Sequence, residues 1–288
     1  SASYGDDKIA WYENQGGGSF GPQQVITTNA DGARSVFATD LDGDGDADVL
    51  SASFNDDKIA WYENLGGGSF GPQQVITTNV DFASSVFATD LDGDGDTDVL
   101  SASGFGDEIA WYENQGSGSF GPKQVITTVS TTSVYATDLD GDGDADVLSA
   151  STSFSSADKI AWYENLGNGN FGPQDTLTTN VSDPSSVFAA DLDGDGDADV
   201  LSASEDDDKI AWYENQGGGS FGPQQVITTN ADGAESVYAT DLDGDGDADV
   251  LSASSNDDKI AWYENLNITG FADQTQVNFP LTLYPNPS

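Results

Sequence analysis

Between Ser35 and Thr78 the apolar residues come in four short runs separated by polar turns. Ser35-Val-Phe-Ala-Thr39 leads into an acidic loop, Asp40 to Asp48, and Val49-Leu-Ser-Ala52 follows it. Lys58-Ile-Ala-Trp-Tyr-Glu63 and Gln74-Val-Ile-Thr-Thr78 complete the set, with Asn55-Asp-Asp57 and Asn64-Leu-Gly-Gly-Gly68 as the intervening turns. Runs of this length, rich in β-branched and aromatic residues and bounded by turn formers, predict four strands. No segment sustains a 3.6-residue period, so very little helix is expected. Within the runs, apolar groups fall on both faces. Ile59 and Trp61 point one way and Ala60 and Tyr62 the other, and the adjacent Val49 and Leu50 divide in the same manner. A sheet with one wet face alternates cleanly, whereas a sheet covered on both faces does not.

The unit repeats almost verbatim. Ile-Ala-Trp-Tyr-Glu-Asn occurs six times, with its Trp at 11, 61, 111, 162, 212 and 262. The acidic string followed by Val-Leu-Ser-Ala-Ser occurs five times, beginning at Asp40, Asp90, Asp138, Asp191 and Asp241, and Phe-Gly-Pro recurs from Phe20, Phe70, Phe120, Phe171 and Phe221. Four strands per repeat of about 50 residues, each sheet covered on both faces, predict an all-β chain of radially stacked four-stranded blades, a β-propeller. A linear β-solenoid is the second choice, since its repeats are usually shorter. Six Trp strings against five acidic loops imply about six blades with the first incomplete. Ser1-Ala-Ser3 matches the end of a second strand, so the first blade lacks its first strand and its loop. The divergent segment after Asn265 (Ile268-Thr-Gly-Phe271) is a candidate to complete that blade. Five blades, or six left partly open, stay as alternatives.

Composition changes the picture in two ways. The 288 residues include 51 Asp plus Glu against 7 Lys plus Arg, a formal net charge of −44, with no Cys, Met or His. Disulfides, thiol or imidazole catalysis and zinc-finger chemistry are therefore excluded. So acidic a surface repels phosphate backbones and anionic headgroups, which makes nucleic acid and membrane surfaces poor partners. No run approaches the roughly 20 apolar residues of a membrane span, and the first residues lack the basic start and apolar stretch of a signal peptide. Yet 36% of residues are apolar and 10% aromatic, enough for a real core provided something offsets the charge.

The acidic loops supply the means. In Asp40-Leu-Asp42-Gly-Asp44-Gly45-Asp46-Ala-Asp48, carboxylates stand at positions 1, 3, 5, 7 and 9. Five such groups in nine residues repel one another unless a cation joins them. Gly45 at position 6 permits the sharp turn that wraps a chain around an ion. Four carboxylates, the carbonyl of position 7 and a water would make up the oxygen shell that Ca²⁺ prefers, with Asp46 turning its own carboxylate to solvent. Mg²⁺ is second choice because it demands stricter geometry. Transition metals would want nitrogen or sulfur ligands that the chain lacks. The loop is not an EF-hand, whose twelfth position is Glu where this chain has Ser51. The candidate metal residues are Asp40, Asp42, Asp44, Asp46 and Asp48; Asp90, Asp92, Asp94, Asp96 and Asp98; Asp138, Asp140, Asp142, Asp144 and Asp146; Asp191, Asp193, Asp195, Asp197 and Asp199; and Asp241, Asp243, Asp245, Asp247 and Asp249. They account for 25 of the 51 acidic residues, and about five bound ions would bring the net charge to about −34.

The Asp-x-Asp-x-Asp-Gly-x-x-Asp loop before Val-Leu-Ser-Ala-Ser, followed by Ile-Ala-Trp-Tyr-Glu-Asn, a glycine-rich turn and Phe-Gly-Pro, resembles the FG-GAP/VCBS family of calcium-binding β-propeller repeats. The resemblance runs from residue 1 to about 272 and implies a structural calcium ion in each blade that carries the loop. The propeller is expected over residues 1–279. Residues 280–288 read as a linker and the start of a further segment, in which Leu283-Tyr-Pro-Asn-Pro-Ser288 resembles the opening of a type IX secretion sorting domain. That resemblance implies a secreted or surface-anchored protein, where millimolar calcium is available.

The remaining repeated residues read mainly as structure. Trp11 and its equivalents are expected between blades rather than in sugar-stacking pockets, while Tyr12 and its equivalents divide between core and surface. Glu13 and Asn14 with their copies suit a surface or turn-capping role. Six symmetric copies of one Glu make a poor catalytic pair. Lys8, Lys58, Lys159, Lys209 and Lys259 are expected to pair with nearby carboxylates. No unique polar constellation breaks the repeat, so no enzyme is expected. Variation clusters in two loops that carry Phe54, Phe82, Phe105 and Phe154, the place to look for a recognition surface. The expected function is calcium-loaded adhesion, surface recognition or self-assembly, with a glycan, a surface protein or a second copy as partner. The alternative is a carbohydrate-binding or scaffold module of a larger secreted enzyme.

Overall fold

The computed structural model describes residues 1–106, 108–152 and 157–266. Phe154, the segment after Asn265 from residue 267 on and the sorting-domain-like segment at 283–288 lie outside the described residues. Among the described residues every regular element is a strand, and none is helical.

The strands pair in chain order as antiparallel meanders. The four predicted runs become Ala33–Thr39, Asp48–Ser53, Lys58–Tyr62 and Gln74–Thr77, one four-stranded sheet. Three further four-stranded sheets start at Ala83, Ser133 and Pro184. The first sheet has three strands, Ala2–Ser3, Lys8–Trp11 and Gln24–Thr27, and lacks the strand that precedes the acidic loop elsewhere, as the sequence predicts. The last described sheet also has three, Ala234–Thr240, Asp249–Ser254 and Lys259–Tyr263. Register aligns Leu50 with Trp61 and Ala52 with Ile59, and the same alignment recurs as Leu100 with Trp111 and Leu201 with Trp212. A bulge between Ile59 and Ala60 turns the outer strand, which adds twist at the sheet edge.

Two compact units divide the chain, residues 1–134 with 167–169 and the described residues of 135–166 with 170–266. In the first, Leu50, Ile59 and Trp61 of one sheet pack against Val80, Ala83, Val86, Val99 and Tyr112 of the next. In the second, Leu148, Ile160 and Trp162 meet Val181, Val187, Val200 and Tyr213 in the same way, and Leu201, Ile210 and Trp212 meet Ala234, Val237, Val250 and Tyr263. This is why the runs show no clean alternation: all five residues of Lys58–Tyr62 are buried. Trp61, Trp111, Trp162 and Trp212 are core residues. The tyrosines do not divide evenly, since Tyr62, Tyr112, Tyr163 and Tyr213 are each 1% exposed and Tyr12 alone of the series is exposed. Two of their hydroxyls are met at the rim, where Gln73 Nε2 donates to Tyr62 at 2.7 Å and Gln224 Nε2 to Tyr213 at 2.7 Å, whereas the buried Tyr112 hydroxyl has no hydrogen-bond partner among the described residues.

In four turns, at Gly68, Gly118, Gly169 and Gly219, the last glycine of the glycine-rich turn closes this packing, whereas Gly18 of the first turn faces open space. At Gly118 (φ +67°) an added Cβ would stand 2.4 Å from Trp61 Cζ2, and at Gly68 (φ +78°) 2.4 Å from Trp11 Cζ2. The left-handed backbone and the indole pressed against it both require the missing side chain. The middle residue of the same turn faces open space where it is Gly67 or Gly218, and is Ser117 or Asn168 in other copies.

Candidate metal sites

Each acidic loop joins the first strand of its sheet to the second and organises itself through its own carboxylates. Asp40 accepts the Gly43 N–H on Oδ1 at 2.7 Å and the Gly45 N–H on Oδ2 at 2.9 Å. Asp42 accepts from Asp44 N–H at 3.2 Å, and Asp44 from Asp46 N–H at 2.8 Å. Gly45 sits at φ +94°, a conformation open to glycine and strained for other residues. Asp48, fully buried, closes the loop: its Oδ2 accepts the Leu41 N–H at 2.9 Å and its Oδ1 the Asn64 N–H at 2.7 Å. The same bonds recur in the other loops, with Asp98, Asp146, Asp199 and Asp249 as fully buried closing residues.

Not all of the five carboxylates converge. Carboxylate oxygens of Asp40, Asp42 and Asp48 lie within 4.8 Å of one another, as do those of Asp138, Asp140 and Asp146, of Asp191, Asp193 and Asp199, and of Asp241, Asp243 and Asp249. In the second loop the trio is Asp90, Asp92 and Asp94, without Asp98. Asp44, Asp142, Asp195 and Asp245 lie outside these trios, and so do all the seventh-position residues, Asp46, Asp96, Asp144, Asp197 and Asp247. The carboxylate of Asp46 faces the glycine-rich turn instead, 3.7 Å from where a Cβ on Gly66 would stand, and Asp96 and Asp197 do the same at Gly116 and Gly217.

The electrostatics favour a cation. Burial, helped by the neighbouring carboxylates and opposed by two backbone N–H bonds, raises Asp98 to about 6 and Asp146 and Asp199 to about 7. Asp48 moves the same way for the same reasons. Burial and crowding also raise Asp92, Asp140, Asp193 and Asp243 at the third position. The lysines neutralise other groups: Lys58 pairs with Asp56 at 2.5 Å, Lys8 with Asp6 at 2.5 Å, Lys123 with Glu108 at 2.6 Å, Lys209 with Asp207 at 2.6 Å, and Lys259 with Asp257. Local pairing was legible in the sequence for Lys8, Lys58, Lys209 and Lys259. A cation ligated at about 2.3–2.6 Å holds its oxygens within about 5 Å of one another, so the trios have the spacing and the hard-oxygen chemistry for Ca²⁺.

Two elements of the site escape a reading of the sequence by unit. The Asn that ends Trp-Tyr-Glu-Asn does cap its turn, with Gly116 N–H donating to Asn114 Oδ1 at 3.1 Å, but Asn114, Asn165, Asn215 and Asn265 are buried rather than on the surface. The Asn114 side chain donates to Thr97 O in its own loop at 2.9 Å and to Leu41 O in the preceding loop at 2.8 Å. Its occurrence in all six Trp strings was the available signal. The second Asp of each Asp-Asp-Lys turn is the other: Asp57 Oδ1 accepts the Phe82 N–H at 2.9 Å, and Asp7 and Asp208 accept from Gly32 and Gly233 likewise.

The variable loops of the first unit bring aromatic residues together. Phe54 lies 4.9 Å from Phe82 and 6.2 Å from Phe105, Phe82 lies 5.2 Å from Phe105, and Tyr4 packs 6.1 Å from Phe54. The Arg34 guanidinium sits over the Phe54 ring at 4.9 Å. Tyr4, Phe82 and Phe105 are 52%, 40% and 55% exposed. Phe82 holds φ +54° where the equivalent turns carry Gly32, Asp183 and Gly233, an unusual conformation for so bulky a residue.

Sheets of four antiparallel strands, repeated with an acidic loop after the first strand, define a repeat protein of propeller type. The FG-GAP-like repeat model matches residues 1–51, 40–101, 90–149, 138–202 and 191–252, and the chain belongs to that family. No curated protein sequence matches it. Among solved structures it is similar to an Agrocybe aegerita lectin whose structure describes recognition of non-reducing terminal N-acetylglucosamine. That match has 20% identity and TM-score 0.63 and covers 94% of this chain and 75% of the lectin. It is also similar to BBS1N, solved in complex with ARL6DN, at 12% identity and TM-score 0.57, over 90% of this chain and 72% of that one. At these identities the likeness concerns the fold alone.

Proposed function

We propose that the protein is a non-enzymatic, extracellular binding module whose repeats are held in shape by calcium. The observation that carries this reading is the recurrence of a converging carboxylate trio in each of five loops, four of them including the fully buried closing Asp, while Lys58 and Lys209 pair with carboxylates outside the loops. Asp40, Asp42 and Asp48 would hold the ion in the first loop, joined by Asp44 and the carbonyl of Asp46, and the equivalent residues would do so in the other four. Calcium there supplies charge neutralisation and cross-links the loop; the chain's own part is to present oxygens on a backbone already turned by Gly45 and closed by Asp48. FG-GAP repeats are typical of extracellular and surface proteins, where calcium is plentiful. Residues 1–279 form the repeat region in this reading, and 280–288 open an export-sorting segment.

The aromatic cluster around Phe82 is the recognition surface in this proposal. A bulky residue kept in a left-handed turn, with its ring half in water, costs stability, and binding is the return that explains it. Exposed rings beside the Asn55 amide, which donates to Asp31 Oδ1 at 3.0 Å, suit a neutral glycan, whose ring faces stack on aromatics and whose hydroxyls need polar partners. Polyanions are excluded by charge.

The test is a glycan array probed with the wild-type chain, with and without a chelator, beside Phe82→Gly. Phe82→Gly restores the glycine of Gly32 and Gly233, so it should fold at least as well and lose glycan binding. A bound glycan unaffected by that substitution would place recognition elsewhere. Calorimetric titration should find about five calcium ions, and none bound would end the calcium reading.

A further inference from the structure

The side chain of Asn114 links two acidic loops that belong to successive sheets. In its own sheet its backbone N–H donates to Asp98 Oδ1 at 2.7 Å and its Nδ2 to Thr97 O at 2.9 Å, the last two residues of the second loop. Across the sheet boundary the same Nδ2 donates to Leu41 O at 2.8 Å, the peptide between Asp40 and Asp42 of the first loop. The N–H of Leu41 is held in turn by Asp48 Oδ2 at 2.9 Å. A continuous hydrogen-bonded path therefore runs from Asp48 through Leu41 and Asn114 to Asp98. The second unit repeats it twice. Asn215 joins Leu139 O at 2.7 Å to Asp199 at 2.7 Å, and Asn265 joins Leu192 O at 2.7 Å to Asp249 at 2.8 Å. Leu139 and Leu192 are held by Asp146 and Asp199.

We infer that these asparagines are positioning residues that couple neighbouring calcium loops, so that an ion in one loop orders the next. This rests on the calcium reading above. Its physical basis is that a buried amide with every polar atom engaged has no solvent to fall back on. Asn114 is 1% exposed and uses its N–H, its Oδ1 and both Nδ2 donors. Movement of the Asp98 end on binding an ion must therefore be transmitted to Leu41 or leave a buried polar atom unsatisfied. Asn64 is the natural comparison, since its Nδ2 donates to Ala47 O within its own loop.

The experiment is a calcium titration of the whole chain followed by NMR of the loop glycines Gly45 and Gly95, with Asp90→Ala used to disable the second loop. In the otherwise unchanged protein, Asp90→Ala should raise the calcium concentration that half-shifts Gly45 by about 5-fold or more, the lower range of allosteric coupling. In an Asn114→Leu background the same Asp90→Ala change should move Gly45 less than about 2-fold, while Asn64→Leu should leave the coupling in place. A purely structural role for Asn114 would lower the melting temperature without separating the two titrations. If Gly45 and Gly95 shift with calcium but Asp90→Ala leaves Gly45 unmoved, the coupling is refuted, and this arm needs no asparagine variant to fold. If neither glycine responds to calcium in the wild type, the calcium reading itself falls.

Discussion

Chelating calcium should destabilise the fold strongly at pH 8 and weakly at pH 5. Asp98, Asp146 and Asp199 have folded-state values of about 6, 7 and 7, above the ordinary 3.8. A group raised on folding favours the fold only while it can hold its proton. That stabilisation is fully present below about pH 4 and is lost as pH rises through 6 to 7. Each shift, discounted for residual solvent screening, is on the order of 2 kcal/mol, and the three together roughly 6 kcal/mol. Total stabilities are about 5–15 kcal/mol, so the metal-free chain at pH 8 should be marginal or unfolded. Calcium takes the place of the proton and stabilises by about 2.7 kcal/mol per site at a hundredfold excess over Kd. At about 2–4 °C per kcal/mol for a chain of this size, five sites should separate the calcium and chelator melts by well over 15 °C at pH 8. At pH 5, protons compete with the ion and the gap should shrink to a few degrees. Differential scanning calorimetry at both pH values, with calcium and with chelator, reads this directly. Equal gaps at pH 5 and pH 8 would refute the linkage, and no gap at pH 8 would remove the metal from the account.

The packing makes sharper local predictions. Gly118→Ala should lower stability by about 2–5 kcal/mol in a thermal melt, from left-handed strain and from the clash with Trp61. Gly67→Ala, at φ +62° with open space around it, should lose only about 1 kcal/mol. Asp42→Ala should remove one ion from the calorimetric stoichiometry, whereas Asp46→Ala, whose carboxylate faces the Gly66 turn, should keep all five. Lys58→Met should lower the melting temperature by several degrees, because buried Lys58 pairs with Asp56 and donates to Asn29 O, and its loss leaves both partners unmet at a cost of about 1–3 kcal/mol.

Much of this protein was legible along the chain because its devices are local. The acidic loop needs only nine consecutive residues, with Asp40 to Asp48 bonding one another's backbone and Gly45 making the turn, so its spacing alone pointed to a cation site. The strands were legible because turn formers bound them, and the burial of both faces because Ile59, Ala60, Trp61 and Tyr62 do not alternate with polar residues. The six Trp strings also predicted a first sheet short of one strand.

Other features depend on residues that only the fold brings together. The sequence left the tyrosines evenly divided; the next sheet's packing buries them and leaves Tyr12 out. Asn114 looked like a turn cap because its partner Leu41 is 73 residues away. Nothing along the chain sets Gly118 apart from Gly116, yet Trp61 occupies the space of its Cβ. Phe54, Phe82 and Phe105 lie apart along the chain in its variable loops; the sheets gather them, with Tyr4, into one cluster. The common reason is that hydrogen-bond chemistry within a loop is written in adjacent residues. Burial and contact between sheets are set by which neighbour each repeat meets, and nearly identical repeats carry almost no sequence record of that.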